Sequence, residues 1–288
     1  MTSKLCFAII GAALIGNAVT LCGASRDDYK LEEREPVHHT FTGDKTIDVD
    51  LVNGSVSVIG DGGNTIRVDG ERVIHALNQD QMARARKDDV LDINEKDGVA
   101  QLYENGPFRN SDHSSDFHGF HENSERRYDV EWNVTVHVPR ETALRLRSVN
   151  GGVTAQDTSG TFDVRAVNGA VGMTSIAGSG TISAVNGANT VAFRENPKAD
   201  TAVTSVNGKI EVTFQPNLSA EFSLRTVNGG MFTDFETTML GAAPGSTSKE
   251  NGKFVYKARG ESRVRVGAGG PTIRLDTVNG GIQIRKAK

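Results

Sequence analysis

Cysteine is nearly absent. The 288 residues hold two, Cys6 and Cys22, and both fall in the first 24 positions. If that segment is removed the remaining chain has no thiol, so no disulfide framework holds it and packing with hydrogen bonds must do the work. Aromatic residues are also sparse, with one Trp and four Tyr, which speaks against stacking platforms for bases. Neither charge sign dominates: 32 Lys and Arg face 36 Asp and Glu, a net charge of −4. A nucleic-acid footprint needs a clustered basic surface, and none is present. Low hydrophobicity joined to a large net charge would indicate disorder, and this chain has neither. Glycine, by contrast, is abundant at 32 residues, which suits turns and close backbone approach.

No long hydrophobic run occurs either. Residues 5–16 (LCFAIIGAALIG) form an apolar stretch of 12 behind Lys4, too short for a membrane-spanning helix and right for a signal-peptide core. Cys22, Gly23 and Ala24 offer a small-x-small cleavage site, and polar sequence begins at Ser25. The reading is a signal peptide over 1–24 and a protein exported to the periplasm, cell surface or medium, with no membrane span after cleavage. A lipid anchor at Cys22 is the lesser alternative, because Leu21 stands where lipoprotein signals carry a small residue.

What is present in quantity is a repeat. Val-Asn-Gly occurs seven times, with its valine at 52, 149, 167, 185, 206, 227 and 278, in a frame φ-x-φ-x-x-V-N-G-x-φ-x-φ where φ is apolar. The position three before the valine is apolar in every copy. The position four after it is apolar in six, Asn189 being the exception. Gly151, Gly160, Gly169, Gly178 and Gly187 follow at intervals of nine. A period-two apolar pair, a phase break and a glycine read as strand, corner, strand, with Asn and Gly accepting positive φ at the corner. Two architectures fit. In a β-meander each Asn-Gly is a two-residue hairpin turn. In a β-solenoid, parallel β-helix or roll-like, identical residues stack one above another. Identity at one phase favours the solenoid, with the motif valines as an inward ladder and Asn150, Asn168, Asn186, Asn207 and Asn228 as a structural row.

Around the array, residues 78–89 read as one short helix capped by Asn78, with Gln81 three positions on. Tyr128, Val130, Trp132, Val134, Val136 and Val138 alternate without a miss up to Pro139, a half-buried strand expected to cap an end or edge of the array. Residues 104–127 and 241–252 read as loops. The division is therefore signal peptide 1–24, polar segment 25–44 and repeat domain 45–288.

The runs LRLRSVNGGVTAQDTSGTFDVRAVNGAV and GAGGPTIRLDTVNGGIQI, with the alternating strand before the first, resemble the putative-adhesin β-strand-repeat family of bacterial exported proteins, a domain of unknown function. The resemblance spans roughly 45–286. It implies a right-handed or roll-like β-solenoid, an exported location and an adhesin role, and it carries over no catalytic residue.

Chemistry-bearing residues are few. His113, His118 and His121 share one loop, the last two as H-x-x-H, and are weak zinc or nickel candidates that read first as a solvated loop. A calcium-binding nonapeptide roll needs an Asp in each unit, but the third position after Gly reads Thr154, Asp163, Gly172 and Thr181. Carboxylates in the repeats (Asp157, Asp163, Glu211, Asp276) stand singly, with no nucleophile, metalloprotease or phosphate-loop motif. Arg145, Arg147, Arg165, Arg225 and Arg274 recur on the outward phase. The sequence thus points to a non-enzymatic module that uses no cofactor and binds a protein or glycan at the envelope. A β-helical lyase or hydrolase is the alternative.

Overall fold

Strict inside–outside alternation converts most of the chain into strands, because period two matches the pleat. The structure, a computed structural model, describes residues 29–43, 45–109, 127–240, 245–250, 253–258 and 261–288. Strands β1 (Leu31–Thr42), β2 (Thr46–Asn53), β3 (Val56–Asp61) and β4 (Thr65–Ala76) precede helix α1 (Gln79–Asp88), and β5 (Val90–Lys96), β6 (Val99–Asn105) and β7 (Tyr128–Pro139) follow it. The repeats supply β8 (Leu144–Asn150), β9 (Val153–Gln156), β10 (Phe162–Ala166), β11 (Val171–Ile176) and β12 (Gly180–Asn186). They continue with β13 (Asn189–Phe193), β14 (Thr201–Asn207), β15 (Ile210–Phe214), β16 (Ala220–Asn228) and β17 (Met231–Thr233). The chain ends with β18 (Thr238–Met239), β19 (Gly245–Glu250), β20 (Lys253–Ala258), β21 (Ser262–Val266), β22 (Thr272–Asn279) and β23 (Ile282–Lys286).

The fold is all-β, in two mixed sheets. One has 12 strands in the order β1-β4-β7-β3-β9-β11-β13-β15-β23-β17-β20-β19, the other 11 in the order β18-β21-β16-β22-β14-β12-β10-β8-β2-β6-β5. The two strands flanking each Asn-Gly lie in different sheets, so the hairpin architecture is excluded. Each strand instead pairs in parallel with its counterpart from another copy of the motif. Val164 sits opposite both Leu146 and Ile182, and Ile182 opposite Val203.

The core lies between the sheets. The residue three before each motif valine (Val49, Leu146, Val164, Ile182, Val203, Leu224, Leu275) is at most 1% exposed. The residue four after it is buried in every copy, Asn189 included. Asn189 keeps its place by donating its amide to the Thr204 carbonyl at 2.7 Å, although its own oxygen finds no partner. Phe193 stacks on Phe214 at 5.1 Å, and Phe222 meets Phe214 edge-on at 5.7 Å.

Several expectations need correction. The repeat order in space is not the chain order, because β22 lies between β14 and β16, and β23 between β15 and β17. The chain therefore passes back across β16 so that its last repeat fills a place between two earlier ones. Strand β7 is interior, flanked by β3 and β4, and the edge of that sheet is β1, formed by the polar stretch LEEREPVHHTFT. Charge and Pro36 make that stretch a safe edge, since they discourage pairing with another chain. Residues 245–250, read as loop, form β19 against β20. Helix α1 begins as read, with the Asn78 side chain accepting from the Gln81 amide at 3.0 Å.

Candidate functional site

The corners where the chain leaves one sheet for the other line up as a ridge of Val, Asn and Gly columns. The valines do not point inward as a ladder. Val52 and Val149 are covered and Val167 is half-buried, but Val185, Val206, Val278 and Val227 are 37%, 41%, 38% and 59% exposed. These four are the exposed large hydrophobic residues among the described residues, and they come from four adjacent repeats. The inward phase ends one residue earlier, at Ser148, Ala166, Ala184, Ser205, Thr226 and Thr277, because the backbone turns away from the sheet at the valine.

Each side-chain amide of the Asn column bonds the next. Asn150 donates to Asn53 at 2.8 Å, Asn168 to Asn150 and Asn186 to Asn168 at 2.9 Å, and Asn207 to Asn186 at 2.8 Å. Asn279 then donates to Asn207, and Asn228 to Asn279, both at 2.7 Å. The row is one continuous chain of amides pointing in one sense. Behind it, hydroxyls satisfy the glycine carbonyls: Ser205 donates to Gly187, Thr277 to Gly208 and Thr226 to Gly280 at 2.8–3.1 Å.

The glycines serve close approach more than positive φ, which among the motif glycines only Gly54 adopts. A Cβ on Gly169, Gly187 or Gly208 would sit 2.0 Å from the carbonyl oxygen of the glycine on the neighbouring repeat. Only hydrogen fits there.

At the first repeat no preceding corner exists to accept the backbone N–H groups of Val52 and Asn53. Later corners use the chain itself: Val167 N donates to Ser148 and Asn168 N to Val149. The carboxylate of Glu104 substitutes for the missing carbonyls, accepting from both Val52 N and Asn53 N through Oε2. Glu104 is fully buried and its Oε1 has no hydrogen-bond partner. Burial pushes its pKa well above the usual carboxylate range, and the nearby charge of Asp89 adds to this against the two backbone donors. Asp89 is itself buried and accepts from Trp132 Nε1 at 2.8 Å. Sequence reasoning missed Glu104, reading it as the start of the loop 104–127 where the structure places it on β6, and nothing in the repeat marks a group that works only where the repeat stops.

The outward arginines do not make a basic patch. Arg147 lies 3.9 and 3.7 Å from Asp48 and Asp50, Arg165 bonds Asp163 at 3.1 Å, and Arg274 bonds Asp276 at 3.1 Å. Burial raises the Asp48 pKa, opposed by Arg147. Arg145 and Arg225 are exposed. Of the single carboxylates, Glu211 sits between Lys209 and Arg285 and is held below the usual range by them. Asp157 is also lowered, by hydrogen bonds from Ser175 and Gln156. A shallow hollow of about 240 Å³ is lined by Phe232, Asp234, Gln283, Ile284 and Arg285. Among the described residues no three His, Cys, Asp or Glu side chains converge to hold a metal, and no helix is long and apolar enough to cross a membrane. His113, His118 and His121 lie outside the described residues, as do 1–24 with Cys6 and Cys22.

No protein-family model and no curated protein matches the chain. Among solved structures it is similar to a "putative cell adhesion protein" of Clostridium sporogenes, at 10% identity over 88% of this chain and 100% of that one, with a TM-score of 0.36. It is also similar to a "putative adhesin" of Parabacteroides merdae, at 12% identity over 89% and 97%, with a TM-score of 0.23. A "putative lipid binding protein" of Parabacteroides distasonis matches at 10% identity over 88% and 97%, with a TM-score of 0.26. These likenesses are too distant to carry function across.

Proposed function

We propose that this chain is an exported β-solenoid that works as a non-enzymatic, adhesin-like interaction module at the cell envelope. The parallel, in-register pairing between copies of the motif supports the solenoid reading, with the hairpin strands at either end as closures. The apolar core segment over 5–16 and the small residues before Ser25 support export, with 1–24 as signal peptide, 25–44 as a leading segment and 45–288 as the repeat domain. The observation that carries the interaction reading is the ridge. A stable fold buries its valines, yet four adjacent repeats present theirs to solvent beside a row of amides. The carboxylates described in the repeats are scattered over two sheets and several are tied to cations, which supports a binding role over hydrolysis.

The test is capture from envelope fractions by the chain beginning at Ser25, compared with a Val206→Lys, Val278→Lys variant of unchanged melting temperature. Loss of capture in the variant supports the reading. Equal capture by both chains overturns the ridge as the contact, and turnover of a polysaccharide with new reducing ends overturns the non-enzymatic reading.

A further inference from the structure

The ridge has a chemistry that selects among partners, and this inference rests on the interaction reading above. Each amide in the middle of the Asn row has two N–H donors and a carbonyl with two lone pairs. The row consumes one donor and one acceptor per residue, as the bonds of Asn186 to Asn168 and of Asn207 to Asn186 show. One donor and one acceptor therefore remain on each amide in the middle of the row, and at Asn186, Asn207, Asn228 and Asn279 an exposed isopropyl group lies one residue away. Neighbouring strands stand about 4.8 Å apart, so the four exposed valines span roughly 14 Å in three equal steps.

Charge around the ridge is sparse: Arg225, two residues before Val227, is exposed, and its neighbour on the adjacent strand is Asp276. The 28 residues from 166 to 193 contain no charged side chain. Along the flanks, Ala170, Ser183, Ala188 and Thr204 are small and uncharged, while Lys209 is tied to Glu211 at 2.9 Å and Asp276 to Arg274 at 3.1 Å. A polyanion would need a line of unpaired cations, and phosphate or carboxylate groups only accept. A folded protein partner needs roughly 800 Å² from each side with buried aromatic or Arg anchors, and a single line of valines offers neither. An extended peptide laid along the ridge repeats its side chains on one face every ~6.6 Å, out of step with the repeats.

We infer that the ridge is a track for a neutral, linear polysaccharide lying along the stack. Every pyranose ring offers hydroxyls that both donate and accept, together with apolar C–H faces for the valines. One ring is about as long as one repeat. Binding of this kind is weak per sugar and grows with chain length until the exposed repeats are filled.

The experiment uses the chain from Ser25 on an array carrying neutral β-linked glucan and chitin oligomers of one to eight sugars, with alginate and hyaluronan as anionic chains. The expected result is binding to a neutral series whose affinity rises up to about four or five sugars and then levels off. Val206→Lys with Val278→Lys should weaken it at least about tenfold. Thr190→Lys, exposed on the other sheet, should leave it within about twofold. Urea midpoints of both variants within error of the parent chain show that the fold is intact. The inference is overturned by preferential binding of the anionic chains, by neutral-glycan binding that survives the ridge substitutions, or by no glycan binding at all. In the last case capture of an envelope component that the same ridge substitutions abolish would leave the interaction reading standing, so the two failures are distinct.

Discussion

Two chemically identical substitutions should act with opposite sign. In Gly187→Ala the new methyl carbon falls 2.0 Å from the Gly169 carbonyl oxygen and 2.5 Å from its carbon. Real Cβ atoms essentially never come within 3.0 Å of such an atom, so the neighbouring backbones must part by at least 1 Å. Three bonds hold that corner together: Asn186 N to the Val167 carbonyl at 2.7 Å, the Asn186–Asn168 amide pair at 2.9 Å, and Ser205 Oγ to the Gly187 carbonyl at 3.1 Å. Overpacking costs about 1–3 kcal/mol and each weakened hydrogen bond some fraction of its ~0.5–1.5 kcal/mol. A loss of about 2–4 kcal/mol follows, or roughly 5–15 °C in melting temperature for a domain of this size. In Gly152→Ala the methyl carbon meets only the Ala170 carbonyl oxygen, at 3.5 Å, an ordinary contact, and the backbone there is not left-handed. Lower entropy of the unfolded chain should then stabilise the protein by about 0.4–1 kcal/mol. Thermal unfolding followed by circular dichroism, with calorimetry to check for partial melting of the repeats, measures both. Similar shifts in the two variants would refute the argument that the glycine column exists for close approach.

Val164→Asp should destabilise by several kcal/mol, because it buries an unpaired charge between Leu146 and Ile182. Val206→Asp, 41% exposed, should stay within about 0.5 kcal/mol, and equal urea midpoints would show that the inward phase is misplaced. The Glu104 pKa is higher in the folded chain than in the unfolded one, so folding takes up a proton between the two values. Its contribution to stability is whole below about pH 4.5 and is lost as pH rises through the folded value. Glu104→Gln should remove that pH dependence while keeping an acceptor for Val52 N and Asn53 N, and a stability–pH difference curve that stays flat between the two chains would contradict it. For the exported protein, intact mass should correspond to a chain that begins at Ser25. A mass that includes residues 1–24 would refute the cleavage site, and a diacylglyceryl group on Cys22 would replace it with a lipid anchor.

Local pattern was enough to locate much of the architecture. The apolar residues three before and four after each motif valine follow the pleat, and the pleat has one period regardless of which strands are neighbours. The cap of α1 and the alternation in β7 are equally local, since each depends on residues a few positions apart. The Asn row could be anticipated as structural because identical residues at one phase invite stacking.

Other features belong to the tertiary structure, and the reason in each case is that they are set by neighbours distant in sequence. Whether a motif valine points in or out depends on where the backbone swings from one sheet to the other, and an apolar side chain looks the same in either case. Glycine at the corner is required by a carbonyl oxygen some 18 or 21 residues away, as between Gly187 and Gly169 or Gly208 and Gly187. The last repeat fits between two earlier ones because its frame matches both neighbours equally well, with Leu275 opposite Val203 on one side and Leu224 on the other. A repeat specifies that its copies will stack. Which copy lies beside which, and what closes the end as Glu104 does, is decided only when loops, end strands and buried charge must be accommodated together.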